Sequence, residues 1–199
     1  MEKIEKMEKM KFYTGNVSAK FAENPYYDCI ESFRDFPKDG VIFWDFTPLT
    51  DNPELFNKAI DDIAEHFSNK NITKIAAVES KGFVIGSALA YKLKKPLILI
   101  RKPGLIPGRI LSETFTKEYG QGEYQMKEGV LDKSDNVLIV YDIMAGSGAS
   151  GAAINLVEKT TAAVAGCAFV VELEYLGGRE KLSKYDIFSL VKIKNKLMK

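Results

Sequence analysis

Cysteine, histidine and tryptophan are scarce in this 199-residue chain, which holds two, one and one of them. Cys29 and Cys167 lie far apart without a C-x-x-C pair, and with His66 alone they cannot build a metal centre. A disulfide framework is excluded, and a reducing cytoplasm is the expected setting. Charge of one sign is also missing: 28 Lys and Arg face 27 Asp and Glu, a net +1 at pH 7. Nothing therefore draws the whole chain to nucleic acid or to an anionic membrane. Arg34, Arg101, Arg109 and Arg179 are its only arginines, so a phosphate site must rely largely on lysine. No run approaches the roughly 18 apolar residues of a membrane span. The opening MEKIEKMEKMKF is too charged for a signal peptide.

What is present is the profile of a globular domain, 46% hydrophobic, 28% charged and 11% aromatic. One domain over residues 25–199 is expected, preceded by a charged leader, 1–24, in which Ile4, Met7 and Met10 have helical spacing. An amphipathic segment from Tyr26 ends at Phe36-Pro37-Lys38-Asp39-Gly40, a turn signal where an irregular hood begins. Asp51-Asn52-Pro53-Glu54 looks like a helix start, with Leu55, Phe56, Ile60, Ile63, Ala64 and Phe67 on one face. His66, beside that stripe and without a second ligand type at metal spacing, reads as a solvated or edge histidine.

An alternation then fixes the class as α/β. Apolar runs at Ile75–Val78, Leu97–Ile100, Val137–Val140 and Ala165–Val171 are interleaved with helical patterns at Gly82–Leu93 and about Ala149–Lys159. Strands that are apolar throughout belong to a parallel sheet covered on both faces. Ile187–Val191 is a last short strand, at a sheet edge or in the hood. Between Lys102 and Val130 the apolar runs stop and glycines punctuate a polar stretch, the mark of a functional lid or an excursion hairpin.

The strongest chemical signal is Val137-Leu138-Ile139-Val140-Tyr141-Asp142-Ile143-Met144-Ala145-Gly146-Ser147-Gly148-Ala149-Ser150. A strand delivers an acid at its carboxyl end, and a small-residue loop opens a helix whose first N–H groups can face a phosphate. Gly146 and Gly148 permit close approach, while Ser147 and Ser150 add hydroxyls. No Gly-Lys-Ser/Thr follows and no third glycine completes G-x-G-x-x-G, so neither a Walker loop nor a dinucleotide fingerprint is present. Tight strand-to-helix packing stays open as the alternative.

From about Phe33 to Lys194 the chain resembles adenine phosphoribosyltransferases of the type I phosphoribosyltransferase family. The likeness runs through Phe36-Pro37 with Gly40-Val41-Ile42-Phe43, Glu79-Ser80-Lys81-Gly82-Phe83, Ile100-Arg101-Lys102-Pro103-Gly104 with Pro107-Gly108, Glu118-Tyr119-Gly120, Val171-Glu172-Leu173 and Gly178-Arg179-Glu180-Lys181-Leu182. The resemblance implies a mainly parallel sheet flanked by helices, a small hood at about 25–50 and 173–194, and a mobile hairpin lid at about 102–130. It implies transfer of phosphoribosyl from phosphoribosyl pyrophosphate to adenine, giving AMP and pyrophosphate in purine salvage. Mg²⁺ would arrive on the donor, with no metal ligand from the protein, and the chain would form a homodimer. By the same resemblance Ile42 offers backbone hydrogen bonds to adenine, Phe43 stacks on it and Leu173 packs its other face. Glu118 is the proton-transfer group near N7, and Tyr119 helps close the lid. Glu79, Ser80 and Lys81 form the pyrophosphate loop, across a cis Glu79–Ser80 peptide, with Arg101 and Lys102. Asp142 takes the ribose hydroxyls, and Ala145, Gly146, Ser147, Gly148, Ala149 and Ser150 the phosphate.

The chain departs from the family at the donor side. Tyr141 stands where the motif has its first acid, the loop lacks both threonines, Lys81 replaces an arginine, and Trp44 replaces a cationic residue. Weakened donor binding is expected, since one charge-assisted hydrogen bond is worth about 1.5–3 kcal/mol. A catalytically silent member that binds nucleotide or phosphate as a regulator or partner subunit is the competing reading.

Overall fold

A computed structural model describes residues 24–116 and 120–195. The expected charged leader, a frayed helix or a disordered segment, lies outside the described residues apart from Asn24, and so do Glu118 and Tyr119. The chain divides into two compact units, Met1–Ala59 and Ile60–Lys199.

In the first unit a 3-10 turn, Tyr27–Cys29, leads into two short antiparallel strands, β1 (Glu31–Arg34) and β2 (Ile42–Asp45). The Phe36–Pro37 peptide between them is cis, and Gly40 has φ +80°, a value that side chains rarely adopt. The Asp35 carboxylate accepts the Gly40 N–H at 2.7 Å and closes the turn. Asp45 accepts both the Thr47 N–H and the Thr47 hydroxyl, ordering the entry to helix α1 (Thr47–Thr50). Helix α2 (Pro53–His66), which begins in the first unit and ends in the second, starts as its sequence predicts: proline occupies the first position, and the Asn52 side chain accepts the Leu55 N–H at 3.1 Å. Ile60 and Ile63 of the predicted stripe are buried, and so is Phe67 just beyond the helix.

The second unit is a five-stranded, wholly parallel sheet in the order β4-β3-β7-β8-β9. Its strands are β3 (Lys74–Val78), β4 (Leu97–Ile100), β7 (Asn136–Met144), β8 (Ala163–Leu173) and β9 (Ile187–Ile193). Helix α3 (Gly82–Leu93) links β3 to β4, α4 (Gly148–Glu158) links β7 to β8, and the short α5 (Gly178–Lys181) precedes β9. Ile75, Ala76, Ala77 and Val78 have no exposed surface, as expected of a strand buried on both faces. β7 runs four residues beyond the apolar stretch because its ladder with β8 continues to Met144 opposite Glu172. Asp142 is thereby inside the strand. β9 is the edge strand of this sheet, paired to β8, with Ile187, Leu190 and Val191 buried.

Residues 102–130 contain an antiparallel hairpin, β5 (Ile110–Thr116) and β6 (Gln121–Lys127), registered from Ile110 opposite Lys127 to Thr116 opposite Gln121. It lacks an apolar run because β5 alternates, with Leu111, Glu113 and Phe115 less exposed than their neighbours. Two backbone hydrogen bonds of 2.8 and 2.7 Å between Arg101 and Gln125 tie the hairpin to the end of β4. His66 is an edge residue: its Nε2 meets Asp186 Oδ1 at 2.9 Å and its ring lies against Phe67 and Phe188.

Candidate active site

The strand order supplies the first locator. From β3 the chain steps outward to β4, then returns to the other side of β3 with β7 and continues to β8 and β9. The order reverses between β3 and β7, and ligands of open α/β sheets bind outside the carboxyl ends of the strands at such a reversal. Glu79, Ser80 and Lys81 follow β3, Arg101 and Lys102 follow β4, Asp142 lies near the end of β7, and residues 145–147 follow it. The sheet brings all the expected pyrophosphate and donor residues to one edge.

These residues differ in what they are free to do. The Glu79–Ser80 peptide is cis. The Glu79 carboxylate accepts the Arg101 Nε–H at 3.2 Å and the Lys102 backbone N–H at 3.0 Å, while Arg101 Nη1 donates to the Leu105 carbonyl at 3.0 Å. Glu79 therefore orients the β4 turn, and Arg101 is a braced cation. Ser80 and Lys102 are exposed and Lys81, at the start of α3, is half-buried. Burial pushes the Asp142 carboxyl above its ordinary range, against the pull of the Ile143 N–H and of the Lys81 and Lys102 charges. A carboxylate facing two lysines and partly shielded from water suits a ligand that brings its own hydroxyl donors.

Gly146 is open, with nothing within 4 Å of where a Cβ would stand. Gly148 is confined, because a Cβ there would lie 2.7 Å from the Thr116 carbonyl oxygen of the hairpin. Ala145, Ser147 and Ala149 are half-buried, whereas Ser150 is only 3% exposed, which leaves Ser147 as the more accessible hydroxyl. Tyr141 neighbours Asp142, yet its hydroxyl meets the Tyr124 hydroxyl of β6 at 2.8 Å.

Of the expected adenine residues, Ile42 and Phe43 open β2 in the first unit and Leu173 ends β8 in the second, where it is buried. Phe36 meets Phe43 edge to face at 5.2 Å. Beside Leu173, the buried Glu172 takes Arg179 Nε at 2.8 Å, Arg179 Nη2 at 2.6 Å and the Ser189 hydroxyl at 2.7 Å. Arg179 also donates to the Ile187 carbonyl at 2.9 Å. Burial opposes ionisation of Glu172, but these donors outweigh it and hold the carboxyl below its ordinary range. Sequence reading left this brace without a role, although a glutamate ending an apolar strand in a chain with four arginines was its signal. A concave surface of the first unit lined by Glu31, Asp45, Thr47, Thr50 and Asp51 is acidic, the wrong sign for a polyphosphate.

Comparison with known proteins shows the family. The phosphoribosyl transferase domain model matches residues 46–197. An adenine phosphoribosyltransferase of Idiomarina loihiensis is 45% identical over 160 residues, covering 80% of this chain and 90% of that protein. The crystal structure of adenine phosphoribosyltransferase from Thermoanaerobacter pseudethanolicus superposes with a TM-score of 0.80 at 36% identity, covering 84% of this chain and 97% of that one. The Saccharomyces cerevisiae enzyme, complexed with an imino-altritol bisphosphate and adenine, gives 0.77 at 36% identity, covering 83% and 96%. The chain belongs to the phosphoribosyl transferase family and, within it, to the adenine phosphoribosyltransferases.

Proposed function

We propose that this protein serves purine salvage by transferring the phosphoribosyl group of phosphoribosyl pyrophosphate to N9 of adenine. The C1′–N9 bond forms, the bond from C1′ to the pyrophosphate oxygen breaks, and AMP and pyrophosphate leave. Charge separates along that path, positive on the ribose and negative on the leaving group, so the protein's task is to place cations on the leaving side. The observation that carries the reading is the strand reversal, which collects Lys81, Arg101, Lys102 and Asp142 beside the start of α4.

Lys81 and Lys102 neutralise the pyrophosphate, with Arg101 braced by Glu79, and Ser80 contributes its exposed hydroxyl. Asp142 holds the ribose hydroxyls, and residues 145–150 hold the 5′-phosphate through the first N–H groups of α4 and the Ser147 hydroxyl. Ile42 reads the adenine edge, Phe43 and Leu173 pack its faces, Glu118 handles the proton near N7 and Tyr119 assists closure.

Mg²⁺ would reach the site on the donor. Among the described residues no group of three or more His, Cys, Asp or Glu side chains could hold a metal. Such an ion would take its ligands from the donor's phosphates and from water. When bound, Mg²⁺ supplies charge neutralisation of the leaving pyrophosphate. The same reading makes the protein a cytoplasmic homodimer; the two free, buried cysteines are compatible with a reducing compartment, and sedimentation tests the pairing.

The deciding experiment incubates the protein with phosphoribosyl pyrophosphate, Mg²⁺ and adenine, hypoxanthine or guanine. AMP and pyrophosphate are expected in equal amounts, with adenine preferred, because a site built to accept the 6-amino group leaves a buried acceptor unpaired when a 6-oxo base enters. Equal use of hypoxanthine would remove the adenine assignment, and AMP binding without AMP formation would establish the silent member instead.

A further inference from the structure

Tyr141 occupies the motif position of an acid, yet its hydroxyl is committed elsewhere. Neighbouring side chains of a strand face opposite sides of the sheet, so Tyr141 and Asp142 point apart. The Tyr141 ring packs against the core cluster that includes Ile139 and Tyr124, and Phe115 and Ala149 border the same cluster. Its hydroxyl lies 2.8 Å from that of Tyr124, and the rings stand nearly perpendicular with centroids 6.4 Å apart. Tyr124 is 4% exposed and leans on Phe115 of the other hairpin strand at 4.8 Å. Hydroxyls this deeply placed need a partner, and each supplies the other's. Burial pushes both phenols upward, so the bond is between neutral groups throughout the physiological range.

The other hairpin strand is fastened to the phosphate-loop helix. The Glu113 carboxylate takes Asn155 Nδ2 at 2.8 Å and Lys159 Nζ at 2.6 Å, and Lys159 Nζ also donates to the Ser112 carbonyl at 2.6 Å. The Thr116 carbonyl comes so close to Gly148 that no Cβ fits between them. β5 is thus held to α4, and β6 to β7.

We infer that Tyr141 is a positioning residue: through its hydroxyl bond to Tyr124 it fixes the β5–β6 hairpin on the strand that carries Asp142, and so sets the two strands that flank Glu118 in the chain. This rests on the transferase reading for its kinetic consequence, but not for its structural one.

The test uses the full chain and the variants Tyr141→Phe, Tyr124→Phe and the double substitution, each of which keeps the rings. Hydrogen–deuterium exchange without substrates should show faster exchange over 110–116 and 121–127 in all three, with β3 and β8 unchanged. In steady-state assays kcat should fall about three- to tenfold in each single variant, the scale of one neutral hydrogen bond. The donor KM should stay within about twofold, and the double variant should be no worse than either single one, as for two ends of one bond. A raised donor KM at unchanged kcat would overturn the proposal by putting the Tyr141 hydroxyl on the donor. Unchanged hairpin exchange in all three variants would overturn it as well. If the parent forms no AMP the transferase reading fails, and the exchange pattern still decides the fastening.

Discussion

At the scale of single residues, chemistry and stability pull Asp142 in opposite directions. Its folded pKa is raised by burial, against the Ile143 N–H and the lysines, so its ionised form is disfavoured in the fold relative to the unfolded chain. Stability contributed by this group is greatest when it is protonated and declines as pH rises from its ordinary range through the raised folded value. Asp142→Asn should therefore raise the melting temperature at pH 7 while weakening donor binding about ten- to a hundredfold, the worth of a charge-assisted hydrogen bond. Calorimetry with donor and Mg²⁺, beside a thermal melt, measures both; a variant that binds as tightly as the parent would separate Asp142 from the ribose. Glu118→Ala should lower the chemical step by ~10²–10⁴ with donor binding unchanged, as for a general acid–base group. Parent-like turnover in that variant would remove Glu118 from the reaction.

At the scale of elements, two glycines in one loop carry different burdens. A methyl at Gly146 meets nothing, whereas one at Gly148 meets the Thr116 carbonyl, a backbone atom with no rotamer in which to retreat. Gly148→Ala is expected to cost about 1–3 kcal/mol through overpacking and to loosen β5 from α4. Gly146→Ala should be close to neutral for stability. Urea unfolding of the two variants side by side decides the matter, and equal midpoints would contradict the close approach of hairpin and helix. The hairpin itself was visible in the sequence as a glycine-punctuated interruption of the apolar runs and through the family resemblance. Its attachment through Asn155, Lys159, Tyr141 and the Arg101–Gln125 bridge joins residues distant in the chain, which no local pattern encodes.

Across the whole molecule, paired carboxylates link stability to acid. Asp135 is 6% exposed and accepts Lys74 Nζ at 2.8 Å and the Thr73 hydroxyl at 3.0 Å. Burial opposes ionisation of Asp135, Glu172 and Asp186, and in each the donors prevail: Lys74 for Asp135, Arg179 for Glu172, and Lys70 with His66 for Asp186. All three folded pKa values are depressed, so the stability these groups contribute is present above the ordinary carboxylate range, about 4, and is lost as pH falls through the folded values. Melting temperature should therefore hold between about pH 7 and 5 and drop steeply below about 4. A drop already complete by pH 5 would contradict the pairing of these carboxylates.

Much of this architecture was written locally. Apolar runs such as Ile75–Val78 and Val137–Val140 can be satisfied only where both faces of a strand are covered, and Pro53 after Asn52 starts a helix by its own stereochemistry. The acid and small-residue loop at the end of β7, and the Glu79-Ser80-Lys81 segment after β3, were legible for the same reason: each follows its strand directly. The sequence by itself therefore determined an α/β chain of this family and singled out the residues proposed for its site. Only the tertiary structure decided the strand reversal that gathers those residues, the use of Glu79 to brace Arg101, the turning of Tyr141 towards Tyr124, and the Glu172–Arg179 pair beneath the end of β8. Spacing along the chain sets which way a side chain faces, but its partner is chosen by packing between segments, where the gain of burial and of satisfied hydrogen bonds is shared among residues that the sequence keeps apart.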